Sequence, residues 1–250
     1  MLFLPSVYAC FATIGRMRSS EVQSIFLRRN VDSKACRRFA ITDNLLKCGQ
    51  MSSSQTLATR KQMVREIMSP KGQGQAECMY QADSLTGWGR LGPMGITVGS
   101  KATFCVDARD QASTSRINAF VPVALQFPAQ KVAVGDSWHL TQPVGVLSCC
   151  LVGESDCEFL GATVYFVGVS SQGGKLCIHL RLRELLYGND ATNYPKGNYQ
   201  CTLDGDIYLD KADGDIQRET LYSVLWNLPV GGGMNAEAEY RLTMVRTSAD

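Results

Sequence analysis

Three stretches between residues 176 and 244 alternate apolar and polar side chains with a period of two, which leaves few folds open to the chain. Leu176, Ile178, Leu180 and Leu182 fall on one face, with Cys177, His179, Arg181 and Arg183 opposite. Tyr199, Cys201, Leu203, Ile207 and Leu209 form a second apolar row, with Asn198, Gln200, Thr202, Asp204 and Asp206 behind it. Met234, Ala236, Ala238, Tyr240, Leu242 and Met244 form a third, backed by Asn235, Glu237, Glu239, Arg241 and Thr243. Successive side chains of a strand point to opposite faces of its sheet, so each stretch reads as a strand with one apolar side. Ile216–Trp226 is a weaker strand of the same kind. Cys157–Val169 is apolar on both faces, which predicts a strand covered on both sides or lying at a sheet's centre.

The connections between these stretches are short. Leu209–Ile216 reads as a hairpin with Gly214 in the left-handed position, and Gly173-Gly174 and residues 228–233 supply further turns. Upstream, Ala58–Met68 and Gln75–Ala82 flank a Pro70–Gly74 turn; ending at such a turn favours a hairpin over a helix. Successive strands joined by short turns make an antiparallel meander. Its apolar face must be covered, and helical patterns are nearly absent after residue 75, so the sheet is expected to cover itself. The expected fold is mainly β: an antiparallel meander of roughly ten strands forming a strongly curved sheet or barrel-like body.

Charge divides the chain differently. Residues 1 to 72 hold 12 Lys/Arg against 4 Asp/Glu, and the remainder holds 13 against 19. This split sets a basic N-terminal extension, residues 1–54, apart from an antiparallel β domain, residues 55–250, with Met51–Ser54 as linker. Val22, Ile25, Phe26 and Arg29 share one helical stripe, so the extension is expected to contain a short helix. A basic, acid-poor amphipathic head suits an organellar transit peptide, and a solvated tail suits it equally. Met1–Ile14 is apolar but interrupted by Pro5, and is shorter than the roughly 20 residues of a membrane span. Arg28, Arg29, Arg37 and Arg38 are the candidate partner-binding residues of this arm. No nucleic-acid recognition motif accompanies them.

The search for chemistry is short. There are two histidines: His139 follows Trp138 at the start of a strand, and His179 shares a strand face with Cys177, two ligands where zinc needs three or four. Ten cysteines contain no C-x-x-C pair. Gly168–Gly173 is not a nucleophile elbow, Asp204–Asp215 lacks EF-hand spacing, and Gly231-Gly232-Gly233 lacks the Lys-Ser/Thr of a phosphate loop. The sequence therefore calls for no catalytic residues, no metal and no cofactor. What remains is the apolar face, where Leu203, Ile207, Met234, Tyr240 and Met244 are the candidate residues for lining a ligand concavity.

Between the two halves, Phe127-Pro128 leads to Val134-Gly135-Asp136-Ser137-Trp138, a turn opening a strand. This segment, with Gly205–Gly214 and Ala236–Arg246 at matching spacing, resembles a little-characterised group of β-rich extracytoplasmic bacterial proteins. There a Val-Gly-Asp-Ser/Thr-Trp segment opens a strand, a glycine-flanked hairpin follows and a long strand closes the domain. The resemblance spans about residues 120 to 246. It implies a curved sheet of lipoprotein-carrier or lipocalin kind with no established enzymatic activity, in an extracytoplasmic compartment. The secretion signal of that group is not evident here, so organellar and extracytoplasmic locations both stand. The functional expectation is a non-enzymatic binding or scaffold domain with an apolar small molecule or protein partner. The alternative is an accessory subunit of a larger assembly, anchored by its basic arm.

Overall fold

The period-two stretches all enter one antiparallel sheet. The computed structural model describes residues 24–48, 51–52, 58–87, 97–112, 124–141, 157–189, 198–229 and 235–247. Its strands are β1 (Ala35–Cys48), β2 (Met51–Ser52), β3 (Ala58–Gly72), β4 (Gln75–Gly87), β5 (Lys101–Asp107), β6 (Ser137–Leu140), β7 (Cys157–Gln172), β8 (Lys175–Asn189), β9 (Asn198–Asp210), β10 (Ile216–Pro229) and β11 (Asn235–Thr247). Their order is β5-β4-β3-β1-β11-β10-β9-β8-β7-β6, with β2 adding two residues beside the end of β1. The two meanders, β3-β4-β5 and β6 to β11, meet on either side of β1.

The sheet curls without closing. Nine interstrand spacings of about 4.8 Å would put the edges of a flat sheet roughly 43 Å apart. Yet Phe127 N–H donates to Arg109 O, just beyond β5, at 2.7 Å, and the Trp138 indole of β6 donates to Leu125 O at 2.8 Å. Leu125 to Phe127 spans at most about 10 Å of chain, so the two edges bend toward each other. Among the described residues no ladder joins them: β5 and β6 are the edge strands, 7 and 4 residues long. The expected barrel is thus corrected to an open, curled sheet, because its short edge strands meet a connecting segment and not each other.

One hydrophobic core fills the inner face. It takes Phe39 and Ile41 from β1, Val64 and Met68 from β3, Val164 and Phe166 from β7, Leu180 and Leu182 from β8, and Leu221, Leu242 and Met244 from β10 and β11. Across β1 and its neighbours, Ile41 pairs with Met244 on one side and Gln62 on the other, which puts β1 in the interior of the sheet.

That position changes the reading of the N-terminal residues. Ala35–Cys48, assigned by charge to the basic extension, is a sheet strand flanked by β3 and β11, and Met51–Ser52 of the supposed linker forms β2. Arg37, Arg38, Asp43 and Asn44 break its hydrophobic pattern, which hid the strand. The expected short helix is also corrected. Residues 24–31 are extended, and Ile25 forms an isolated antiparallel bridge with Val132; Ser20–Gln23 lie outside the described residues. Two periods compete in this segment. The helical stripe needs Phe26 inside, whereas the extended chain turns Ile25, Leu27, Arg29 and Val31 inward. Burial selects the second: Leu27 is 2 % exposed and Phe26 is 52 %.

β7 departs from expectation in the other direction. It lies next to the β6 edge, and its second apolar side is uncovered: Tyr165, Val167 and Val169 are all exposed. Apolar residues on both faces signalled burial from the sequence, but here they mark an open surface.

Candidate functional site

Residues 24–31 cross one end of the curled sheet as a strap. Arg29 N–H donates to Ala108 O beyond β5 at 2.8 Å, and Asn30 N–H to Asp213 O in the β9–β10 hairpin at 3.0 Å. Leu27 and Val31 point into the core on either side of Arg29. The strap passes so close to Gly214 that a Cβ built there would lie 1.8 Å from Arg28 O, and Gly214 itself has φ +72°. This glycine serves both the left-handed turn and the close approach of the strap backbone.

Beneath the strap lies a buried charge cluster. The Arg29 guanidinium donates to Glu66, to Asp110 at 3.2 Å and to Asp215 at 2.8 Å. Arg37 donates to the other Glu66 oxygen at 3.0 Å and also pairs with Asp215. The Tyr80 hydroxyl donates to Glu66, and its ring stacks on Phe104 with centroids 5.5 Å apart. Leu125 N–H donates to the second Asp110 oxygen at 2.8 Å, tying the segment between the sheet edges to the cluster. Arg37 and Glu66 occupy inward positions directly opposite each other on β1 and β3; Asp43 and Arg60 repeat the device further along, 3.1 Å apart. Opposite charges at facing strand positions satisfy each other where water is excluded.

Two guanidiniums face three carboxylates. Burial pushes the Glu66 carboxyl up, but Arg29, Arg37 and the Tyr80 hydroxyl outweigh it and hold Glu66 below the ordinary range. For Asp110 burial wins over Arg29, and its carboxyl is raised. Asp215 is raised to about 6, by burial foremost and against the pull of Arg29 and Arg37. Burial and the neighbouring Glu66 keep the Tyr80 phenol protonated. Burial likewise raises the Cys78 thiol, beneath the cluster on β4, to about 12, so it is an inert core residue and not a nucleophile.

A cavity of about 20 Å³ adjoins the cluster, bounded by Arg29, Tyr80, Phe104, Asp110, Leu125 and Asp215. That volume admits an ordered water, with polar partners to hold it.

The residues singled out from the sequence fall in three places. Leu203, Ile207, Tyr240 and Met244 are buried in the core; Met234 lies outside the described residues. Arg29 and Arg37 belong to the cluster, while Arg28 and Arg38 are exposed. Arg28 and Lys131 lie over the face of Phe26, at 5.4 and 5.5 Å. His179 on β8 stacks on Tyr208 and bonds Asp206 at 2.8 Å, and His139 on β6 bonds the Thr163 hydroxyl at 2.9 Å. Cys177, expected to share a face with His179, is buried.

Sequence reading missed Glu66, Tyr80, Asp110 and Asp215. Glu66 had a legible signal: it sits between Val64 and Met68 on the inward parity of β3. Arg29 had the same signal, between Leu27 and Val31. Asp110 and Asp215 lie at turns, where aspartate is ordinary, and carried none.

A second feature lies at the β7 edge. β6 pairs with β7 up to Tyr165, and among the described residues the last backbone bonds on that side join Phe166 to Gly135 and Asp136. Beyond them Val167 and Val169 are 43 % and 45 % exposed, and Leu176, across the hairpin, is exposed too. The run Tyr165–Ser171 contains no charge and no proline. Among the described residues no helix is long and apolar enough to cross a membrane. Comparison with protein-family models and with curated proteins finds no match for this chain.

Proposed function

We propose that the protein is a non-enzymatic binding or scaffold domain whose working surface is the outer end of the β7–β8 hairpin, and that its partner is a protein that adds an extended segment to the β7 edge. The observation that carries this reading is the exposure of Val167 and Val169 on a stretch of β7 that, among the described residues, has no strand on its β6 side beyond the end of β6. Edge strands normally carry lysine, proline or a covering element, because unpaired N–H and C=O groups recruit other strands. The uncharged run at β7 lacks the first two. A strand docked there gains backbone hydrogen bonds from the edge and apolar contact from the valines and Leu176.

Two further observations favour a surface over an interior ligand site. The inner residues Leu203, Ile207, Tyr240 and Met244 are buried, and the cavity near the charge cluster has room for water and not for a lipid. The groups of the cluster are occupied: Glu66, Asp110 and Asp215 by arginines, and the histidines bond Thr163 and Asp206. An arm-anchored subunit has less support, since Arg29 and Arg37 face inward.

A photo-cross-linking residue placed at Val169, and in a second variant at Lys61 on β3, tests the proposal in native cells. Protein adducts at position 169 and not at 61 are expected, and Val169→Lys removes the association. Equal labelling at both positions, or a small molecule co-purifying with an unlabelled protein, overturns it.

A further inference from the structure

We propose that the N-terminal strap is a proton-linked latch: the three carboxylates gripping Arg29 and Arg37 exceed them by one negative charge, so binding a proton tightens the strap and losing it loosens the strap. The strap has the construction of a separable element. Four backbone hydrogen bonds fasten residues 25–30: two between Ile25 and Val132, one from Arg29 to Ala108 O and one from Asn30 to Asp213 O. Further attachments are Leu27, Val31, the Phe26 ring beneath Lys131, and the Arg29 guanidinium, whose three carboxylate partners come from β3, the turn after β5 and the β9–β10 hairpin. Withdrawing Arg29 opens the cluster to water at the adjoining cavity.

The groups facing Asp215 are Arg29 of the strap, Arg37 of β1, Glu66 of β3 and Asp213 of its own hairpin, with Tyr80 and Cys78 of β4 and Asp110 beside Arg29. Arg246 of β11 is held by Asp210 and Asp213 and does not neutralise the excess. The direction follows from Asp215. Latched, its carboxyl keeps a proton up to about 6; hydrated in the open state, it returns toward the ordinary aspartate value of about 3.9. The latched state therefore holds the extra proton between those values, and opening becomes easier as pH rises through them, levelling off above. Asp110, also raised, acts in the same sense. Glu66, which is lowered, acts oppositely once pH falls into the ordinary carboxylate range. The three titrate as a group, so the transition belongs to the cluster.

Hydrogen exchange on the full chain tests this, following the Arg29 and Asn30 amides against those of β1 between pH 4.5 and 7.5, with intrinsic exchange chemistry divided out. The strap opening constant is expected to rise by about tenfold per pH unit below 6 and to flatten above. Asp215→Asn should abolish most of that slope; if it does not fold, Asp110→Asn reports on the same cluster, and the wild-type series decides by itself. A strap whose protection is independent of pH overturns the proposal. So does a pH effect shared equally by β1, or a slope unchanged in the asparagine variant.

Discussion

Arg29 is a charged residue at a position the chain's own alternation assigns to the core, and β3, the turn after β5 and the β9–β10 hairpin converge to meet it. A buried arginine without partners would cost several kcal/mol; here every nitrogen-bearing arm of the guanidinium has a carboxylate. The arrangement depends on the strap lying close to the β9–β10 hairpin, which only Gly214 permits. Gly214→Ala imposes both the left-handed φ, about 1–3 kcal/mol for a side-chain-bearing residue, and a collision with the Arg28 carbonyl. Gly174, at φ +80° with open space around it, suffers the first cost alone. Urea titration should therefore show Gly214→Ala destabilised by at least about 1 kcal/mol more than Gly174→Ala, and the excess measures the seat of the strap. Equal losses would mean that the strap gives way freely.

Among the elements, β1 has ladders along both sides, whereas β5 and β6 have one each and are short. Exchange mass spectrometry should find β1, β3 and β11 the slowest strands and β5 and β6 among the fastest, since opening free energy follows buried contacts and paired backbone. Uniform protection across the sheet would contradict this order. The strands after residue 157 were legible because one side of most of them meets core and the other meets water, so burial wrote a period of two into them. β1 was not legible: Arg37 and Asp43 occupy inward positions, matched by Glu66 and Arg60 on β3. A charge paired across a ladder looks, from one strand, like a break in the pattern. The strap was misread as a helix because eight residues admit both a 3.6 and a 2.0 period, and only the tertiary seat chooses between them. The openness of the sheet was illegible as well, since it rests on the length of two edge strands.

At the scale of the whole molecule, residues 24–48, assigned by charge to a separate extension, belong to the sheet and its core. A chain beginning at Ser24 keeps every contact described above and is the reference for the next truncation. One beginning at Lys34 loses Leu27 and Val31, worth about 1.5–3 kcal/mol each when fully buried. It also leaves Glu66, Asp110 and Asp215 with Arg37 as their sole remaining cluster cation. A fall in melting temperature of about 10–20 °C follows for a domain of this size, measurable by differential scanning calorimetry. A chain beginning at Lys34 that melts with one beginning at Ser24 would show that the strap contributes nothing to stability.

The pairing of Arg38 with Thr247 joins strands about 200 residues apart in the interior of the sheet. On the ribosome, β1 emerges early and has β3 as its neighbour, but its other side stays bare until β11 has left the exit tunnel. The topology lets the two meanders form as separate half-sheets, each with an exposed seam, and the docking of one on the other is expected late in folding. Such long-range closure is slow, and the seam is then the surface most in need of a chaperone.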